Sequence, residues 1–204
     1  MLKCCYFEVS ELAQQEVFDR AMGELAWSER VEKVGKYRFD KDKMLCLGAG
    51  LLAADMLRKA GASDLRLGYS EHGKPYLAHH KDIHFNLSHD GTLAVCAVSG
   101  EAVGADVQKL TQYSPKIASR VFSPEETALI ESSADRDEVF TRLWVRKESC
   151  IKLLGKGFAC NTKALSVLDG GEFFFSEHRV GDYLICVCSA SEHKAGFSQW
   201  KYSE

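Results

Sequence analysis

Twice along this chain a strong helical pattern gives way to a run of short strand patterns, once over residues 44–107 and again over residues 124–188. In the first stretch Leu45, Leu51, Leu52 and Leu57 fall on one side of a helix running from Met44 to Lys59, with Gly61 as its stop. In the second, Ser123-Pro124-Glu125-Glu126 has the form of a helix start, with Ser as N-cap, Pro at the first position and Glu126 placed for a capping box. A longer helix follows, opened by Asp135 or Asp137 and ended by Gly155-Lys156-Gly157. The two stretches share too little identity to be a repeat in sequence, and no Pro-rich or low-complexity linker separates them. Helix followed by sheet in each half predicts an α+β fold with room for two lobes.

The remaining segments give specific expectations. Leu2 to Val9 and Leu65 to Tyr69 read as strands, and Ser10-Glu11 as a helix start. Gly73-Lys74-Pro75-Tyr76 reads as a turn, and Ile83 to Leu87 as a strand entering a second turn, Ser88-His89-Asp90-Gly91. Leu93 to Ser99 and Ala102 to Val107 flank Gly100-Glu101 as a hairpin would, so Asp106 and Gln108, two apart, share a strand face. After the long helix, Leu165 to Leu168, Glu172 to Phe175 and Tyr183 to Cys188 are strand-like.

With 204 residues, 46% hydrophobic and 27% charged, the chain can bury a substantial core. Its net charge of −3 supplies no global positive field, so neither nucleic acid nor an anionic membrane is expected as a partner, and any anion site must be built locally. Residues 29–43 carry Arg30, Lys33, Lys36, Arg38, Lys41 and Lys43 against four acidic side chains, which reads as a solvated helix and loop. The apolar run Cys46 to Ala54 ends at Asp55, short of the ~20 residues a membrane span needs, and Glu8 interrupts the N-terminal segment. A cytoplasmic protein is expected. Its eight cysteines are then reduced thiols, and although five of seven histidines lie between positions 72 and 89, the spacings Cys4-Cys5 and Cys186-x-Cys188 do not suit structural zinc.

The chemistry-bearing residues are few. At about 3.6 residues per turn, Trp144, Glu148 and Lys152 lie along one stripe of the long helix. Taken alone, Glu148 and Lys152 are an ordinary surface pair one turn apart. Asp106, Glu148 and the amide of Gln108 are hard oxygen donors of the kind magnesium accepts, and Lys152, Lys74 and His89 can meet phosphate oxygens, helped by the hydroxyl and backbone N–H groups of a turn at Ser88-His89. That combination points to phosphoryl chemistry.

The order of the motifs is more specific than any one of them. Gly73-Lys74-Pro75, Phe85-Asn86-Leu87-Ser88-His89, Gly104-Ala105-Asp106-Val107, Phe122-Ser123-Pro124-Glu125-Glu126 and Trp144-x2-Lys147-Glu148-x3-Lys152 follow one another as in the 4'-phosphopantetheinyl transferases of the surfactin type, which this chain resembles from about residue 33 to residue 158. The resemblance implies two similar α+β lobes related by a pseudo-twofold axis, with the active site in the cleft between them. We place the lobes at 1–102, for the nucleotide end of coenzyme A, and 103–204, for the metal and catalytic helix. It implies transfer of the 4'-phosphopantetheine arm from coenzyme A to a serine of an apo acyl or peptidyl carrier protein, with release of 3',5'-ADP. Such carriers belong to fatty-acid, polyketide or peptide synthases. The length fits the two-lobed monomeric form.

Carried over position by position, the resemblance gives Asp106 and Glu148 the magnesium, Glu148 the role of general base, and Lys152 the pyrophosphate. Lys74, Ser88 and His89 would bind the nucleotide end, Lys43 its 3'-phosphate, and Pro75 would lie near adenine. Trp144 would serve packing, and Lys147, on the Leu143 and Ile151 side of the helix, reads as a partly buried lysine with its charge led out to solvent. Two positions depart from the family pattern. Gln108 stands where many members have Glu, so it would hold the metal weakly or through water, and Lys43 stands where Arg is usual. Two other readings remain: a non-catalytic module that binds coenzyme A and carrier, and a magnesium-dependent phosphohydrolase.

Overall fold

The computed structural model describes residues 2–155, 157 and 160–202. In chain order its elements are β1 (Lys3–Glu8), α1 (Gln15–Glu24), α2 (Ser28–Lys36), α3 (Asp40–Lys59), β2 (Leu67–Tyr69), β3 (Pro75–Leu77), β4 (His84–Asp90), β5 (Leu93–Ser99), β6 (Val103–Lys109), α4 (Pro115–Val121), α5 (Pro124–Ser132), α6 (Arg136–Leu154), β7 (Phe174–Val180), β8 (Tyr183–Ser189) and β9 (Gly196–Gln199). The class is α+β, as expected. One sheet has the order β4-β5-β1-β9 and a second β6-β8-β7, while β2 and β3 form a separate ribbon.

Three apolar layers hold these parts together. Phe7 of β1 faces α3 and its neighbours in the first core, whereas Cys4, three residues earlier and therefore on the other face, joins a second core. That second core lies between the sheets, where Leu93, Val95 and Ala97 of β5 meet Val103, Ala105 and Val107 of β6 and Ile185 and Val187 of β8. A third core packs α4, α5 and α6 on β8 through Phe122, Ile130, Phe140, Leu143 and Cys188. The layers thus run helix, sheet, sheet, helix. Residues 100–102 connect β5 to β6, where the chain leaves the first sheet for the second, and β9 returns to the first sheet parallel to β1.

Several local expectations are realised. Ser123 and Glu126 form the capping box at the start of α5, Asp135 caps α6, and Gly155 closes α6 in the left-handed conformation at φ 65°. Lys156, expected in the same stop, lies outside the described residues.

Other expectations are corrected. Leu93–Ser99 and Val103–Lys109 are not a hairpin, because β5 already has β4 and β1 on its two edges; β6 pairs with β8 instead. Ser88 and His89 are not in a turn: they sit within β4 opposite Val95 and Ala94, so the ladder extends to Asp90 and the reversal comes at Gly91, whose φ is +60°. Pro75 and Tyr76 belong to β3, the turn being closed earlier by bonds between Ser70 and Gly73 and between Ser70 and Lys74; proline is tolerated as the first residue of that strand. Ser10-Glu11 makes only a 3-10 turn, Val9–Leu12, before α1. Leu165–Leu168 is no strand, because its backbone is bonded by side chains: Val167 N–H donates to Glu126 Oε1 at 3.0 Å and the Leu165 carbonyl accepts from Lys147 Nζ. β9 was not anticipated.

Lys147 is the largest single correction. Its side chain is 1% exposed and its ammonium does not reach water; it pairs at 2.7 Å with Glu126, itself 0% exposed, and donates to the carbonyls of Thr162 and Leu165. Glu126 also accepts the Ser123 N–H at 2.8 Å. A buried charge pair is tolerable only when its remaining donors and acceptors are bonded in this way. The pair therefore joins α5, α6 and the segment after α6 at one point.

Removing Lys147 alone should leave a buried carboxylate without its cation. Lys147→Met is expected to destabilise the protein by about 3–5 kcal/mol in chemical denaturation, with part of the loss recovered in Lys147→Met/Glu126→Gln. A change under about 0.5 kcal/mol would contradict the pairing. Gly104→Ala tests the seat of α6, since a Cβ there would lie 1.9 Å from Ser149 O and 2.5 Å from Leu153 N, both helix backbone. We expect it to cost about 1–3 kcal/mol or more, and an unchanged denaturation midpoint would disprove the close approach.

Candidate active site

The edges of the two sheets, β4 and β6, run side by side and are tied by side chains. Asn86 Oδ1 accepts the Ala105 N–H at 2.8 Å, Ser88 Oγ donates to Asp106 Oδ1 at 2.6 Å, and Asp90 Oδ2 accepts the Lys109 N–H at 2.7 Å and Gln108 Nε2 at 3.2 Å. Residues 86, 88 and 90 alternate along β4, so all three point the same way, and their partners rise in the same order along β6. The seam brings a hydroxyl and a carboxylate from different sheets into contact.

Helix α6 supplies the rest. Because Gly104 lets the helix backbone rest on β6, Lys152 reaches across to Asp106 Oδ1 at 2.6 Å and to Ser88 Oγ at 2.7 Å. The pair is partly shielded, with side-chain exposures of 28% for Lys152 and 8% for Asp106. The ordinary surface pair of Lys152 with Glu148 one turn earlier is thus not what the described residues form; Lys152 pairs with Asp106. Glu148 is half-buried and accepts no hydrogen bond from any described residue. Its carboxyl is held above the usual glutamate range, first by burial and then by the negative charge of Asp106, with Lys152 opposing.

Two carboxylates that repel one another, one of them without a donor, are suited to a divalent cation, which would relieve the repulsion and supply the missing partner. Among the described residues no group of three or more His, Cys, Asp or Glu converges to cage a metal. The donor set therefore fits magnesium, which is content with one or two carboxylates and takes water and substrate phosphates as its other ligands. Gln108 lies on the same side of β6 as Asp106, with its NH2 on Asp90. It also borders a 130 Å³ pocket with Thr111, Ile117, Phe140, Thr141 and Trp144, which is partly buried against the third core.

On the other side of the seam, His89 is exposed. Partial burial of its ring, and then the charges of Lys152, Arg30 and Lys33, push its pKa below the usual value, so cations of α2 and α6 are near enough to act on it. Arg30 and Lys33 had read as solvated charges. Their spacing of three on one helix was the available signal, but that their charges act on His89 depends on how α2 packs on α3, where Arg30 Nη1 donates to the Cys46 carbonyl at 3.1 Å.

The remaining predicted residues are placed as follows. Lys74 donates to the Val103 carbonyl at 3.0 Å and the Leu153 carbonyl at 3.2 Å, and burial lowers its pKa to about 8. Pro75 lines a 200 Å³ cavity with Ser70, Lys74, Tyr76, His84 and Phe85. Lys43 is in the first turn of α3 with its ammonium 2.9 Å from Asp40. The structure thus brings Ser88, Asp106 and Lys152 together with Glu148 beside them, while neither Lys43 nor Pro75 bonds to any of that group.

Comparison with known proteins identifies the family. Residues 102–201 match the 4'-phosphopantetheinyl transferase superfamily, and residues 13–101 match the family described as 4'-phosphopantetheinyl transferase, N-terminal. A 4'-phosphopantetheinyl transferase of Bacillus subtilis is 34% identical over 154 residues, which are 73% of this chain and 68% of that one. The 4'-phosphopantetheinyl transferase Sfp of Bacillus subtilis strain 168 is 32% identical over 158 residues, 75% of this chain and 70% of its own. The L-aminoadipate-semialdehyde dehydrogenase-phosphopantetheinyl transferase of Mus musculus is 32% identical over 161 residues, 67% of this chain and 50% of its own. Among the described residues no helix is long and apolar enough to cross a membrane. With both halves of the chain matched and two relatives covered over more than two thirds of their length, this chain belongs to the 4'-phosphopantetheinyl transferase superfamily and is a transferase enzyme.

Proposed function

We propose that this enzyme moves the 4'-phosphopantetheine arm of coenzyme A onto a serine of an apo acyl or peptidyl carrier protein, as a magnesium-dependent cytoplasmic monomer whose halves, 1–102 and 103–204, form the two walls of the site. The observation that carries the reading is Glu148: a half-buried carboxylate with a raised pKa and no donor among the described residues, beside Asp106 and one turn from Lys152. A group that only bound ligand would have no use for an unpaired base there.

In this reading Asp106 and Glu148 hold magnesium, with Gln108 as a weak or water-mediated ligand. Bound there, the ion would neutralise pyrophosphate charge and polarise the phosphorus under attack. Glu148 accepts the proton of the carrier serine hydroxyl as its oxygen bonds to the phosphorus of the pantetheine phosphate. The bond from that phosphorus to the bridging oxygen breaks, and 3',5'-ADP departs with the electron pair. Lys152 is held between Ser88 and Asp106 and offers its charge to the departing pyrophosphate oxygens. Ser88 keeps Lys152 and Asp106 in place from the opposite sheet. His89, with the charges of Arg30 and Lys33 near enough to act on it, forms the cationic side that receives the nucleotide phosphates. Lys74 and Pro75 border the cavity of Tyr76 and Phe85, whose apolar walls suit the adenine. Lys43 would approach the 3'-phosphate on release from Asp40.

Incubation with magnesium, coenzyme A and an apo carrier domain, followed by intact mass measurement of the carrier, tests the proposal. A phosphopantetheine adduct is the expected product. Free 3',5'-ADP without an adduct would replace transfer by hydrolysis, and neither product would leave only binding.

Glu148→Gln should reduce transfer by at least about 10²–10⁴-fold, the usual worth of a general base, with melting behaviour retained. Near-normal turnover would sink the assignment. The pH dependence has a definite sign: burial and Asp106 raise the Glu148 pKa, so in metal-free protein the carboxyl should titrate above the ordinary glutamate range by carbon-detected NMR, and magnesium, favouring the charged form, should move it down. A Glu148 titration indifferent to magnesium would exclude it as a ligand.

A further inference from the structure

By its resemblance to the surfactin-type transferases, position 108 is expected to carry a carboxylate, and the surroundings of Gln108 favour the amide that stands there. Its Nε2 lies 3.2 Å from Asp90 Oδ2, which also accepts the Lys109 N–H at 2.7 Å, while Asp90 Oδ1 accepts the Gly91 N–H at 2.8 Å. A carboxylate only accepts hydrogen bonds, so the amide must turn its NH2 toward Asp90; its oxygen is thereby the prong directed away. Asp106 precedes Gln108 by two positions on the same strand face.

We propose that Asp90 is a positioning residue for the metal side of the site, orienting the Gln108 carboxamide so that its oxygen faces the ion and excluding a carboxylate from position 108. The proposal rests on the reading that Asp106 and Glu148 hold magnesium. Three physical points support it. Asp90 is itself fixed by two backbone N–H donors, so it is a rigid acceptor. A Glu at 108 would set two like charges within hydrogen-bond distance, each disfavouring the ionised form of the other. Partners that orient a metal ligand are typically worth about 10–100-fold in metal affinity. The chain thus keeps a third oxygen for the ion without a third negative charge beside Asp106 and Glu148.

The test uses the full-length protein and two readouts. Magnesium affinity in the presence of coenzyme A is measured by calorimetry for the wild type, Asp90→Asn, Gln108→Ala and the double variant. Asp90→Asn should weaken magnesium by about tenfold or more in the wild-type background and should add nothing in Gln108→Ala. Equal weakening in both backgrounds would mean that Asp90 acts by charge alone and would overturn the proposal, as would unchanged affinity in Asp90→Asn. Melting temperature is then measured in EDTA, where the metal plays no part. Gln108→Glu should melt roughly 2–4 °C below the wild type, corresponding to a modest repulsion in a chain of this size, and Asp90→Asn/Gln108→Glu should melt no lower than Asp90→Asn. A Gln108→Glu variant as stable as the wild type in EDTA would overturn the exclusion. Wild-type protein that takes up no magnesium would sink the metal reading itself, whereas wild-type binding indifferent to Asp90→Asn sinks only this proposal.

Discussion

The arrangement depends on how closely α6 lies on β6. Gly104 has no side chain, so the helix backbone at Ser149 and Leu153 occupies the space where a Cβ would be. This approach is what allows a helix residue, Lys152, to reach a strand residue, Asp106, at 2.6 Å and to share it with Ser88 of the neighbouring sheet. A larger residue at 104 would push the helix outward, and the lysine, the aspartate and the unpaired Glu148 would separate together. The grouping of Ser88, Asp106 and Lys152 thus depends on one backbone contact.

Around that contact the charges are distributed unequally. Lys147 and Glu126 are wholly buried and satisfy each other with help from backbone groups, so they have no capacity left for substrate. Glu148, the next residue along, has no donor among the described residues and a raised pKa. Adjacent residues of one motif therefore have opposite physical fates. Helical periodicity turns successive side chains about 100° apart, placing Lys147 inside the third core and Glu148 at the seam. The first residue holds the helix against α5 and the following segment, and the second stands at the seam beside Asp106.

Much of the local structure was legible in the residues themselves. The capping box at Ser123 and Glu126, the N-cap at Asp135 and the stop at Gly155 are governed by neighbours three or four positions away, so the chain carries their instructions locally. The leucines expected on the apolar side of α3 are buried, but so is every residue from Leu45 to Ala54, because the helix is covered all round there. The strand pairings were less accessible, because which edge a strand meets depends on which edges are already occupied. Leu93–Ser99 and Val103–Lys109 have the composition of a hairpin, yet β5 lies between β4 and β1 and has no edge to offer. Leu165–Leu168 has strand composition too, but side chains from Glu126 and Lys147 take its backbone bonds.

The site divides in the same way. The ordered motifs named Asp106, Ser88, Glu148 and Lys152 and the family they belong to, since residue type and order survive without knowledge of distance. Their surroundings needed tertiary structure: that Lys152 chooses Asp106 over Glu148, that the charges of Arg30 and Lys33 act on His89, that Lys147 is interior, and that Gln108 is bonded to Asp90. Each of these is a contact between elements far apart in the chain. Periodicity and capping are short-range and can be written into a segment, whereas the partner of a charge is decided by whichever groups the packed layers bring within a few ångströms of it.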